Sequence, residues 1–204
     1  MEYILYNSNI KNDELLKYNI FISPTASLQD GVKLFYGVKV YGNSEIGKNT
    51  ELHSNCEICD SIIGTNCKIF SSVITNSRIE QDCVVKPFVH IEDSSIEREC
   101  VIGNFTCICS SILGISNKIF SLSNIRKTEI GNGCVLESGV CCEPCDDEAI
   151  TIGDNVHIMC NASIINSAVI SDNCVVYSNC VVSQDVEANK VVNSTSKNVL
   201  KNVK

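Results

Sequence analysis

Few side chains in this sequence are equipped for chemistry. Its 204 residues include 3 histidines, 14 cysteines and no tryptophan. His53, His90 and His157 each stand beside a strongly apolar residue, respectively Leu52, Ile91 and Ile158. Side chains alternate between the faces of a strand, so an inward Leu or Ile turns the adjacent imidazole outward. His90 also has a carboxylate close by in Glu92. Such a carboxylate orients an imidazole and raises its proton affinity, as a general base requires. His90 is therefore the candidate base, weighed against a plain surface or inter-subunit histidine. His53 and His157 read as packing residues.

The thiols divide into several groups. Many recur at one position of a repeat, where cysteine behaves as a small buried hydrophobe. Along Cys107-Ile108-Cys109 one thiol is expected to face inward and Cys109 to be the exposed one, with no base in reach to make it a nucleophile. The stretch Cys141-Cys142-Glu143-Pro144-Cys145-Asp146-Asp147-Glu148-Ala149 carries a C-x-x-C, but no second pair and no nearby histidine. That is a weak zinc signal, and no metal is expected.

The frame that holds these residues is a repeat. Ile96, Ile102, Ile108, Leu113, Ile119, Ile125 and Ile130 fall 6 or 5 positions apart, and 6, 6 and 5 sum to a period of 17. The register starts at Ile22, runs through Leu34, Ile46, Ile58, Ile69 and Val85, skips an irregular loop after Leu136, and resumes from Ile152 to Val182. Hexapeptide periodicity of this kind winds a parallel β-helix, with three rungs per triangular coil. Small residues four places after the apolar one fill the corners, giving a column of Thr50, Cys67, Cys83, Cys100, Asn117, Cys134, Val156 and Cys174. Residues 1–20 fall outside the register and read as a cap, with a short helix at Asn12-Asp13-Glu14-Leu15-Leu16. Residues 21–187 form the β-helix, and 188–204 a polar tail.

A net charge of −8 and a pI near 4.9 leave no basic stripe for a nucleic acid. No apolar run approaches 18 residues and no signal-peptide core is seen, so the expectation is a cytoplasmic protein that does not enter a membrane.

The runs YGNSEIGKNTEL, VVKPFVHIE, VIGNFTCI, TEIGNGCVLESG, ITIGDNVHIM and VVSQDVEANKVV resemble the C-terminal domain of the bifunctional glucosamine-1-phosphate acetyltransferase/N-acetylglucosamine-1-phosphate uridyltransferases. The likeness extends from about residue 19 to 192. It implies a left-handed parallel β-helix, a homotrimer, and acetyl-CoA or another acyl-CoA bound between neighbouring subunits. It also implies a small acceptor such as a sugar amine or hydroxyl. The uridyltransferase domain has no counterpart here, so uridyl transfer is not implied.

The family's motif positions are altered. Its catalytic histidine falls on Ser121 and its tyrosine on Asn124, within Phe120-Ser121-Leu122-Ser123-Asn124. A serine hydroxyl cannot take a proton at neutral pH as imidazole does. Its basic sugar-phosphate contacts fall on Glu92 and Cys109, and an acidic residue there repels a phosphate. Its small coenzyme-contacting positions fall at Met159, Cys160, Tyr177 and Ser178, of which Cys160 and Ser178 remain small enough to line a coenzyme. A second trimeric β-helix family, the γ-class carbonic anhydrases, binds zinc through three closely spaced histidines, and the separations of 37 and 67 residues here do not match. Two functions follow. One is a CoA-dependent acyltransferase using a base such as His90, which predicts acetyl-CoA binding. The other is a catalytically inactive trimeric scaffold or regulatory subunit, which predicts none.

Overall fold

The computed structural model describes all residues except 1, 8, 9, 11, 146, 194–200, 203 and 204. Strands of two or three residues follow one another around a prism, and each strand of the coils pairs in parallel with its equivalents in the neighbouring coils. The registers Ile91↔Ile108 and Ile108↔Ile125 show the period directly. Three sheets result, and we number them from the sheet that contains Val101–Ile102, through the one containing Cys107–Cys109, to the one containing Ile112–Leu113.

The inward residue of each rung is shielded almost completely: Leu52, Ile58, Ile69, Ile91, Ile102 and Ile108 are all 0% exposed. Each such side chain contributes roughly 1.5–3 kcal/mol of burial free energy. The corner column is buried as the repeat predicts. Its one amide, Asn117, donates from Nδ2 to the carbonyls of Gly114 and Gly131 (2.9 and 2.7 Å) and accepts from the Cys134 amide (2.7 Å). A polar corner is tolerated because every one of those bonds is made.

The turns need left-handed backbone, which asparagine tolerates best among residues with a side chain. Asn55, Asn66, Asn155, Asn161 and Asn173 supply it. In three successive coils of the corner between the first and second sheets the same conformation is instead taken by Phe88, Phe105 and Leu122, at φ 63°, 57° and 64°. All three side chains are exposed, and the two phenyl rings stack at 5.1 Å.

At the N-terminal end Ile4–Leu5 pairs antiparallel with Lys33–Leu34, and the α-helix Asn12–Lys17 sets Leu15 against the core, so the open edge of the first coil is covered. At the other end Lys190–Val192 adds in parallel to Val175–Val176, and Lys201–Asn202 pairs antiparallel with it. One expectation is corrected. The register does not lapse at residue 141, because strand Cys141–Cys142 pairs with Asn124–Arg126 and Cys142 takes the inward position at 0% exposure. A thiol substitutes there for Ile or Leu, so the interruption starts at Glu143.

Candidate functional site

Of the expected site residues, Ser121, Cys160 and Ser178 lie along the edge of the prism where the first sheet turns into the second, and His90, Glu92, Cys109 and Asn124 lie on the outward face of the second sheet. The last outward position of the first sheet forms a side-chain ladder, beginning with Phe35, His53 and Phe70 stacked at 4.3 and 4.0 Å. Lys86 follows, its Nζ 5.7 Å from the Phe70 ring centre. The next rung is Gly103, and the ladder has a gap. The gap is a cavity of about 300 Å³ lined by Lys86, Val101, Gly103, Asn104, Lys118, Ile119, Phe120 and Ser121. A Cβ on Gly103 would lie 2.5 Å from the Ser121 amide nitrogen and 2.6 Å from the Phe120 carbonyl carbon. No side chain fits there without parting the coils.

Ser121 stands on the corner itself. Backbone bonds from Gly139 to Ser121, from Asn161 to Ser138 and from Asn179 to Cys160 put Ser121, Ser138, Cys160 and Ser178 in one column of small residues. Ser121 and the two expected coenzyme-lining residues thus share one line, at successive rungs about 4.8 Å apart.

On the outward face of the second sheet, strands His90–Glu92, Cys107–Cys109 and Asn124–Arg126 are adjacent, in the registers His90↔Cys107↔Asn124 and Glu92↔Cys109↔Arg126. His90, Glu92, Cys109 and Asn124 therefore come together. Ser121 does not join His90, because it lies two coils beyond the corner that precedes His90. His90 Nε2 is 3.4 Å from Glu92 Oε2, and both side chains are about half exposed. Asn124 Nδ2 donates to Glu143 Oε2 (3.2 Å), and Arg126 Nη1 is 3.5 Å from Glu143 Oε1. Lys127 Nζ is 3.1 Å from Asp147, so the Cys/acid loop folds back over this face.

The expected orientation of Cys107 is wrong. Residues two apart on a strand face the same way, so both thiols point outward around the buried Ile108, with sulfurs 3.4 Å apart. Burial, with the Cys107 sulfur next to it, pushes the Cys109 thiol up to about 12.

Another cluster escaped the sequence reading. His157 Nε2 lies 2.9 Å from Glu137 Oε1, while Glu137 Oε2 accepts from the Cys160 amide (3.2 Å) and from Cys160 Sγ (3.0 Å). The bond from the Cys160 thiol, then that from His157, holds the Glu137 carboxyl below its ordinary range. The same bond raises the Cys160 thiol and keeps it protonated. Glu137 is one coil from Phe120, which walls the cavity, and is bonded to Cys160, so this pair adjoins both the cavity and the small column. The insertion after Cys142 hid it: a 17-residue count pairs Glu137 with Asp154 rather than with the strand His157–Ile158. His53 is a packing residue as expected, stacked between two rings and 3.2 Å from Glu51 Oε2.

Comparison with known proteins agrees with the repeat and its fold. Residues 149–184 match the family profile of the bacterial transferase hexapeptide (six repeats). The bifunctional protein GlmU of Caldicellulosiruptor saccharolyticus is 32% identical over 176 residues, covering 84% of this chain and 38% of that protein. GlmU of Clostridium acetobutylicum is 28% identical over 151 residues, covering 72% of this chain and 33% of that protein. The chain therefore spans between a third and two fifths of the length of these curated relatives. A solved UDP-N-acetylglucosamine acyltransferase superposes over 85% of this chain and 69% of its own, with a TM-score of 0.51 at 20% identity, which is a likeness of fold. Among the described residues no helix is long and apolar enough to cross a membrane.

Proposed function

Because this chain is a hexapeptide-repeat, left-handed parallel β-helix that resembles part of the GlmU proteins, we propose that it transfers an acyl group from acetyl-CoA or another acyl-CoA to a sugar or other small acceptor. The observation that carries this reading is the line of features along one edge: the cavity at Gly103, the Glu137–His157 pair one rung on, and the small column through Cys160 and Ser178. The acceptor occupies the cavity, where Asn104 and Ser121 offer hydrogen bonds and Lys86 and Lys118 favour an anionic group. The coenzyme's narrow arm follows the small column, with Met159 and Tyr177 flanking it.

Glu137 holds the Nε2–H of His157, which leaves Nδ1 as the proton acceptor. The acceptor's amine or hydroxyl attacks the thioester carbonyl and gives its proton to Nδ1. The C–S bond breaks, and the imidazolium returns the proton to the departing sulfur as free CoA. Ser121 positions the acceptor and is not the base. His90, with its longer contact to Glu92, is the second candidate base. Phe88, Phe105 and Leu122 form an exposed ridge on the same edge, suited to a neighbouring subunit in a homotrimer that closes the groove.

The test is steady-state turnover of acetyl-CoA with amino and hydroxy sugars. His157→Ala is expected to lower kcat by about 10²–10⁴-fold with KM for acetyl-CoA unchanged, and His90→Ala to lower it far less. Wild-type turnover that survives His157→Ala would remove this base. The specific observation on the other side is Ser121 at the position where the resemblance calls for histidine. It favours a catalytically inactive trimeric scaffold, for which acetyl-CoA would not bind at all.

A further inference from the structure

We propose that His90, Glu92, Cys107 and Cys109 form a transition-metal site that takes Zn²⁺ in preference to Mg²⁺ or Ca²⁺. The four residues are outward positions of two adjacent rungs, fixed by the registers His90↔Cys107 and Glu92↔Cys109. Their backbones are held from behind by Ile91 and Ile108, both fully buried, and by the bond from the His90 amide to the Thr106 carbonyl (3.0 Å). A donor set mounted on rigid strands is pre-organised in a way that a loop is not.

The spacing suits a small ion. His90 Nε2 and Glu92 Oε2 are 3.4 Å apart, and the two sulfurs are 3.4 Å apart. A tetrahedral zinc with bonds of ~2.0–2.3 Å needs ligand atoms about 3.3–3.8 Å from one another. The ligand atoms of His90, Glu92 and Cys109 already lie within 4.8 Å of one another, and Cys107 joins them through its sulfur, 3.4 Å from that of Cys109. Two thiolates and an imidazole are soft or borderline donors, which select zinc over the oxygen-seeking cations. Two thiolates and a carboxylate around a dication leave one negative charge. Arg126, the register partner of Cys109 on the next coil, is a cation beside the site, and it also faces Glu143 at 3.5 Å.

This site is separate from the Glu137–His157 pair, and its assignment does not rest on acyl transfer. It makes His90 a ligand and leaves the base role to His157.

The experiment is a Co²⁺ titration of the reduced, chelator-treated chain, followed by competition with Zn²⁺. Expected are one Co²⁺ per chain, a near-ultraviolet thiolate charge-transfer band, visible bands of tetrahedral intensity, and their loss when Zn²⁺ is added. Cys107→Ser/Cys109→Ser abolishes the charge-transfer band, and His90→Gln weakens binding at least tenfold. Cys59→Ser and Cys145→Ser, at thiols elsewhere on the surface, change neither. Circular dichroism confirms that each variant is folded, and His90→Gln decides the matter if the double serine variant is not. The absence of a charge-transfer band in the wild type, or an equal band in the double serine variant, would overturn the proposal. Neither readout requires an acyl donor, so failure of this site and failure of the transferase reading remain distinguishable.

Discussion

Gly103→Ala tests whether the cavity exists because one rung of the ladder has no side chain. The added methyl would sit 2.5 Å from the Ser121 nitrogen and 2.6 Å from the Phe120 carbonyl carbon, both backbone atoms of the next coil. Neither can swing away, so the coils must part or tilt. Overpacking of this kind costs about 1–3 kcal/mol. In a chain of this size each kcal/mol lowers the midpoint by roughly 2–4 °C, which gives an expected drop of roughly 2–12 °C. Differential scanning calorimetry reads it. Phe120→Ala is the control, because that ring is 48% exposed and its loss opens the cavity without forcing the backbones apart. Its midpoint is expected within about 2 °C of wild type. A Gly103→Ala midpoint indistinguishable from wild type would refute the close approach of the coils at this column.

His53 gives a pH dependence. Burial between Phe35 and Phe70 lowers its proton affinity, and this outweighs the opposing bond to Glu51. With the folded pKa below the unfolded value near ~6.5, stability is full above that value and falls as acid protonates the unfolded chain first. His53→Phe is expected to flatten the denaturation midpoint between neutral pH and mildly acidic pH, and an unchanged slope would count against the stack as its source. Ile108→Ala removes a fully buried side chain directly behind the two outward thiols. It should cost about 2–5 kcal/mol by urea denaturation, and a loss below about 1 kcal/mol would contradict the packing described. Phe105→Asp puts a charge on the exposed ridge and is expected to convert a trimer into monomers in analytical ultracentrifugation with circular dichroism unchanged. A wild-type chain that sediments as a monomer would set the trimer aside.

The β-helix could be read directly because one apolar residue per rung recurs at 6, 6 and 5, and the chain must turn each of them inward. The corner cysteines followed from the same count. What the count missed depended on relations between coils. Cys142 is not legible as an inward residue because a thiol stands there in place of an aliphatic side chain. Glu137 and His157 were not paired because the insertion at Glu143 changes the spacing between coils. Cys107 departs from the expected inward face because residues two apart on a strand share one face. His90, Glu92, Cys109 and Asn124 did come together, since an uninterrupted 17-residue period places them on adjacent rungs. The cavity at Gly103 was missed for a plain reason: it is made by a side chain that is absent.

The proposed transferase activity requires that this edge of the prism bind an acyl-CoA. A crystal of the chain soaked with acetyl-CoA tests it most directly. Density for the coenzyme's arm is expected along the Ser138, Cys160 and Ser178 column, with the thioester near His157 Nδ1. Density elsewhere on the prism, or no density together with no binding heat at millimolar acetyl-CoA, would contradict it.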